Sequence, residues 1–292
     1  MKAIKTFIAL MWRHYQDAII KNIFIPYAFY LIALSYLAGG VCGQFILLFY
    51  EDDIVKETHE YKQNYLITGI KAYFLTACST ACMICFGSLE MGQMAADGFG
   101  YFTDYWNCID ATSLCLNTVF LGMFTVNCIF QNEYFEIELL YSFGGFATFF
   151  MWIKVFYWMR LFSALAYYVK LIQQTIADSM YFMLMVLIII NAFANFFYVI
   201  NKNQELVGAP HYYDSYTKNS VADVIISVYM LGALGDFDST IYRVGYDKYI
   251  ALSMFLLATF IISVVFMNML IAIMGETFGS VTDEAEESGL NE

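Results

Sequence analysis

Six apolar stretches, each long enough to cross a bilayer, constrain this chain more than any other feature. A helix needs about 20 consecutive apolar residues to span the hydrocarbon core. The runs Ile23 to Tyr50, Tyr65 to Met91, Asn107 to Phe130, Leu139 to Phe162, Ile176 to Ile200 and Tyr249 to Phe278 all reach that length. Backbone N–H and C=O groups find no partner in lipid, so runs this long and continuous are restricted to helices that satisfy themselves internally. With 61% hydrophobic residues in 292, the chain also carries more apolar surface than a soluble core of that size could bury. The expected fold class is all-α and polytopic, with six transmembrane helices.

Polar links at 51–64, 92–106, 131–138, 163–175 and 201–248 separate the spans, and only the last is long. Inside it an amphipathic run, Val221 to Leu231, leads into Leu234-Gly235-Asp236-Phe237-Asp238. A short re-entrant helix that stops at Gly and Asp between two spans brings backbone carbonyls and a carboxylate to a narrow aqueous constriction. Four copies of Asp236 around an axis would form a ring of carboxylates that favours cations and lets calcium compete with sodium, with Asp238 as a second ring at the outer vestibule. Leu234, Gly235, Asp236 and Asp238 are thus the candidate selectivity filter; the plainer alternative is an ordinary turn between two helices. The organisation expected is an amphipathic pre-helix at 1–22, a sensor-like bundle of four helices at 23–162, a linker helix at 163–175, a pore domain at 176–279 and an acidic tail at 280–292.

Net charge is -12, with acids gathered at Glu51-Asp52-Asp53, Glu133 to Glu138, Asp236 to Asp238 and Asp283 to Glu292. That balance argues against nucleic-acid and anionic-lipid partners and suits attraction of cations. The seven cysteines, Cys42, Cys78, Cys82, Cys85, Cys108, Cys115 and Cys128, lie in or at the ends of apolar stretches and read as small packing residues. Lys2, Lys5, Arg13 and Lys21 give residues 1–22 the look of a basic helix on a membrane surface, which leaves a mitochondrial targeting role open. Basic residues in the links do not decide which side the termini occupy; cytoplasmic termini are assumed by analogy with channels.

Outside the pore segment, Glu90-x-x-Gln93 at the end of the second span faces Asn107-x-x-Asp110 at the start of the third. Residues three apart share a helix face, so each pair can aim two oxygen-bearing groups at one point. Two carboxylates and two amide carbonyls are hard oxygen ligands that suit calcium better than a transition metal. Taken singly, each of the four also reads as an interfacial or capping residue. The fourth span carries Lys154 and Arg160 six positions apart, too sparse for a voltage sensor, whose charges recur every third residue; they read as anchors or ligand contacts. Asn268, deep in an apolar run, is expected to face a bundle interior or water path and to bond a neighbouring helix or backbone freed by a bulge. His14, His59 and His211 are scattered, and no nucleophile elbow, phosphate loop or zinc motif occurs, so nothing supports an enzyme.

Phe266-Met267-Asn268-Met269-Leu270-Ile271-Ala272-Ile273-Met274-Gly275-Glu276-Thr277-Phe278 resembles the sixth helix of transient receptor potential channels. Trp152-x-Lys154-x-x-Tyr157-x-x-Arg160-Leu161-Phe162 resembles their fourth, and Leu234-Gly235-Asp236-Phe237 is similar to a polycystin filter. The quartet Glu90, Gln93, Asn107 and Asp110 matches the regulatory calcium site of melastatin channels at the cytoplasmic end of the first four helices. The resemblance covers nearly the whole chain. It implies a tetramer, homomeric or with related subunits, in a lipid bilayer, with a gate at Ile271 and Asn268, calcium and other cations as permeant ions, and calcium also as a regulatory ligand. It points to the plasma or ciliary membrane, an organelle membrane such as the mitochondrial inner membrane staying open. The chain departs from the family in its short link Glu51 to Asn64, where polycystins insert a large domain, and in lacking large cytoplasmic domains and the helix that usually follows the gate. Those departures motivate an alternative: a channel-derived accessory subunit that does not conduct.

Overall fold

The computed structural model describes residues 11, 15–50, 56, 58–130, 134–217, 219–236 and 238–290, the side chains of 50, 163, 164 and 284–290 excepted. Lys2, Lys5, Arg13, Glu51 to Asp53, Glu133, Lys218, Phe237 and Glu292 therefore lie outside the described residues.

The described residues are helical, without strands, and six helices are long and apolar enough to cross a membrane. The all-α, six-span expectation holds. In chain order the helices are α1 (Tyr15–Leu47), α2 (His59–Asp97), α3 (Tyr105–Phe130), α4 (Ile137–Met159), α5 (Ser163–Val207), the short α6 (Ser220–Tyr229) and α7, which runs through Lys248–Thr259, Phe260–Phe266 and Met267–Leu290. All seven cysteines are free thiols, Cys42 and Cys128 buried.

Several helices outrun the apolar stretches that announced them. The second span fades near Met91, yet α2 continues to Asp97 and stops only where Gly98 takes a positive φ of 56°. Met94, Ala95 and Ala96 are good helix formers, so loss of hydropathy ends the membrane segment without ending the helix. The link to α3 is consequently a short 3-10 segment, Gly98–Thr103. Asp104 then accepts the Trp106 N–H (2.9 Å) and caps α3.

The chain divides into two compact units, Met1–Val169 and Lys170–Glu292. The first is built around α1, whose Leu34, Leu37, Cys42 and Phe45 are buried with Phe120 and Phe124 of α3 and Leu140 and Met151 of α4. Two π turns interrupt α1, at Ile20–Phe24 and Leu37–Val41.

The second unit buries Phe193 and Phe197 of α5 with Val228 and Leu231 of the α6 segment and Phe255 and Ile262 of α7. Its connecting loops are held by three polar residues at the end of α5. Asn201 accepts the Tyr212 N–H (3.0 Å), and Asn203 donates to Asp247 (2.6 Å). The buried Gln204 donates to the carbonyls of Pro210 (3.0 Å) and Val244 (3.1 Å) and accepts the Tyr246 N–H (3.2 Å). One side chain thus fastens both the segment entering α6 and the segment leading to α7. Gln204→Leu keeps the volume and deletes these bonds; it is expected to lower stability by about 2 kcal/mol, read as a drop in the thermal midpoint of the purified chain.

Asn219 caps α6 by accepting the Val221 N–H (3.1 Å). Asp223, in the first turn, is buried and accepts from Thr217 N–H (2.6 Å), Tyr216 N–H (3.2 Å) and the Ser215 hydroxyl (3.3 Å). Burial works to raise this carboxyl, but the hydrogen bonds from Thr217, Tyr216 and Ser215 outweigh it and hold the group below its ordinary value. A lowered value means the anchor contributes stability above the unfolded carboxyl's value and loses it as pH falls through the folded one. The gap in thermal midpoint between wild type and Asp223→Asn is therefore expected to stay constant from neutral pH down to about 5 and to close only below about 4.

Candidate functional site

In the second unit, α6 passes into a π turn, Met230–Leu234, and ends at Gly235 with φ 70°. The N–H groups of Gly235 and Asp236 both bond to the Met230 carbonyl, the latter at 3.1 Å. That closing arrangement requires a left-handed residue, which glycine adopts without strain. It leaves Leu234, Gly235 and Asp236 exposed at the tip of the re-entrant segment, with Asp238 exposed just beyond. The Asp238 carboxylate accepts from the hydroxyl (2.7 Å) and N–H (2.8 Å) of Thr240, hydroxyl first and N–H second in holding it below the usual carboxylate range. Asp238 is thus ionised at neutral pH but also serves as a local turn cap.

The base of this segment is pinned to α7. A Cβ at Gly232 would lie 2.7 to 2.9 Å from side-chain atoms of the buried Ile262, so only glycine permits the approach. Next to it the Ser263 hydroxyl donates to the Gly232 carbonyl (2.6 Å). Ile262 and Ser263 belong to a seven-residue π turn, Phe260–Phe266. Just beyond it, Asn268 Nδ2 donates to the Val264 carbonyl four residues back (2.6 Å). Asn268 thus bonds within its own helix. Val264, Asn268, Ile271, Gly275 and Phe278 form an exposed stripe at helical spacing along α7, with Ile271 66% exposed. Further along, the buried Thr277 hydroxyl donates to Asp178 of α5 (2.9 Å).

In the first unit, Glu90, Gln93, Asn107 and Asp110 line one cavity of about 790 Å³ together with Lys154 and Arg160. The 3-10 turn folds α2 and α3 back on each other, and Tyr101 within it locks the corner. Its buried hydroxyl donates to Glu90 Oε2 (2.9 Å), and its carbonyl accepts from Asn107 Nδ2 (3.0 Å). Lys154 enters from α4. Its Nζ lies 3.0 Å from Glu90 Oε1 and 2.7 Å from Asp110 Oδ1, with little of any of the three side chains exposed.

The residues fit a calcium ion in kind. Among the described residues no three or more His, Cys, Asp or Glu side chains cluster as a metal site, so the amide oxygens of Gln93 and Asn107 are needed to complete an oxygen set around Glu90 and Asp110. The Lys154 ammonium sits where a cation would bridge the two carboxylates. Sequence reasoning placed the quartet but missed its link to Lys154 and Tyr101. A signal existed: a lysine inside an apolar span needs acidic partners in the same bundle.

The ion transport protein family model matches residues 27–286. The chain belongs to the ion transport protein family. This makes it an ion channel core and an integral membrane protein in contact with lipid, not an enzyme. A comparison with curated proteins finds no sequence match. Among solved structures, the channel core is similar to full-length TRPY1, solved with PI3P and calcium bound in detergent, at 15% identity and a TM-score of 0.55. The alignment covers 91% of this chain and 45% of that protein, so the chain spans less than half of TRPY1's length. At this identity the likeness shows a shared fold of the transmembrane core and nothing beyond it.

Proposed function

We propose that this chain is one subunit of a tetrameric, calcium-permeable cation channel whose opening is modulated by cytosolic calcium. The observation that carries the conducting part is the exposed Leu234-Gly235-Asp236 turn, set by the Gly235 conformation at the end of a re-entrant helix. An exposed carboxylate in a segment held by two membrane helices suits a water-filled path shared between copies. The exposed α7 stripe supports the same reading, since Ile271 ringed by its counterparts would make a hydrophobic constriction able to close by dewetting.

The regulatory part rests on the cavity that gathers Glu90, Gln93, Asn107 and Asp110. Calcium there would be held by two carboxylates and two amide oxygens, and TRPY1, of similar fold, was solved with calcium bound. Calcium bound between α2 and α3 would bias gating through the chain connection at 163–175. Excised-patch recording tests this: removing calcium from the cytoplasmic face is expected to change open probability in wild type and to have no effect in Asn107→Ala. Calcium-independent opening of the wild type would end the regulatory reading.

A further inference from the structure

We propose that Lys154 is a tethered cation that competes with calcium for the place between Glu90 and Asp110, so that calcium binding releases the lysine from its two carboxylates. The inference rests on the calcium reading of the quartet given above. Lys154 is only 7% exposed, and its ammonium bridges Glu90 Oε1 and Asp110 Oδ1 at 3.0 and 2.7 Å. A divalent ion and an ammonium cannot both lie within bonding distance of the same two carboxylates without direct cation–cation repulsion at close range. With lysine alone the three groups sum to one negative charge; with calcium in the lysine's place, the two carboxylates are neutralised. Exchange is therefore electrostatically coherent, whereas double occupancy is not.

The rest of the site does not depend on the lysine. Tyr101 holds the other oxygen of Glu90 by its hydroxyl, and its carbonyl fixes the Asn107 amide, leaving Asn107 Oδ1 as an acceptor. The oxygen cage thus persists when the ammonium leaves. The cavity of about 790 Å³ gives the side chain somewhere to go, and a lysine's flexible four-carbon stem can re-aim its head group without moving the helix. The Tyr27 ring lies 5.6 Å from Nζ. Lys154 would offset one of the two carboxylate charges in low calcium and set a threshold for calcium entry.

A purely structural lysine, one that merely spaces Glu90 and Asp110, makes the opposite prediction: its loss should weaken calcium binding. Equilibrium binding of radioactive calcium to the full chain in detergent separates the two. Lys154→Met is expected to tighten binding by at least about tenfold, and Asp110→Asn to abolish it. Wild type that binds calcium, lost in Asp110→Asn but unchanged or weakened in Lys154→Met, overturns the competition and leaves the calcium site standing. No binding by wild type or by Lys154→Met overturns the site and the competition together. A measurement on wild type alone covers the case in which Lys154→Met does not fold: calcium is expected to increase acylation of Lys154 several-fold, read by mass spectrometry, with exposed Lys202 as the invariant control. Unchanged labelling of Lys154 overturns the proposal.

Discussion

Asp110→Ala with Lys154 left in place is expected to destabilise the first unit by about 3 to 5 kcal/mol. The substitution removes the shorter of the two ion pairs and leaves a nearly buried ammonium with Glu90 alone, which Tyr101 already engages. The cost is mainly that of an uncompensated buried charge, not the net worth of the pair. The double variant Asp110→Ala, Lys154→Met is therefore expected to regain most of the loss, although it restores no contact. Thermal unfolding of the purified chain in calcium-free detergent, with both single variants and the double, checks the cycle. Additive single effects would mean that the three groups do not act as one cluster.

Gly232→Val is expected to cost about 3 kcal/mol or more by overpacking and to abolish current. The new side chain would drive its Cβ into Ile262, which is fully buried and cannot retreat, and would separate the Ser263 hydroxyl from the Gly232 carbonyl. The re-entrant helix would then lift from α7, taking the 234–236 turn with it. Ile262→Ala in the same chain is expected to recover part of the stability. Gly275→Ala serves as the control, because a Cβ there meets nothing within 4 Å. It is expected to be neutral or to stabilise by up to about 1 kcal/mol, alanine being the better helix former. Midpoints of thermal unfolding and bilayer currents measured on the same preparations distinguish a displaced pore helix from general misfolding.

Hydropathy made most of the fold readable because a bilayer leaves a chain few options. Each apolar run had to be a helix, and a long polar link with an amphipathic insert ending in Gly-Asp pointed to a re-entrant segment. Helix ends were not readable from the same signal. The Met94-Ala95-Ala96 stretch is helical by propensity after its hydropathy has gone, and only the positive φ of Gly98 stops it. The π turns left no hydropathy trace either, since they change the hydrogen-bond register and not the composition.

At the site, spacing was enough to place Glu90, Gln93, Asn107 and Asp110 on facing helix ends, and the structure brings all four to one cavity. The partners that arm the site come from elsewhere in the chain. Lys154 lies 64 residues from Glu90, and only the packing of α4 against α2 and α3 shows that they meet. The polar residues Asn201, Asn203 and Gln204 likewise read as an unremarked helix end in sequence. Their role is visible in the backbone groups of 210–212 and 244–246 and the side chains of His211 and Asp247 that they bind. Gly232 carries no sequence signal at all beyond being a glycine, and its importance comes entirely from Ile262 across the contact.

As proposed, the 234–236 turn lines a cation path shared between subunits. The most direct test of that reading is the reversal potential of the reconstituted chain under opposed calcium and sodium solutions, wild type beside Asp236→Asn. Cation currents with calcium permeation in wild type, and loss of that permeation with sodium current retained in Asp236→Asn, are the expected result. Unchanged calcium permeation in the variant would remove Asp236 from the filter, and a correctly assembled wild type that passes no current would contradict conduction itself.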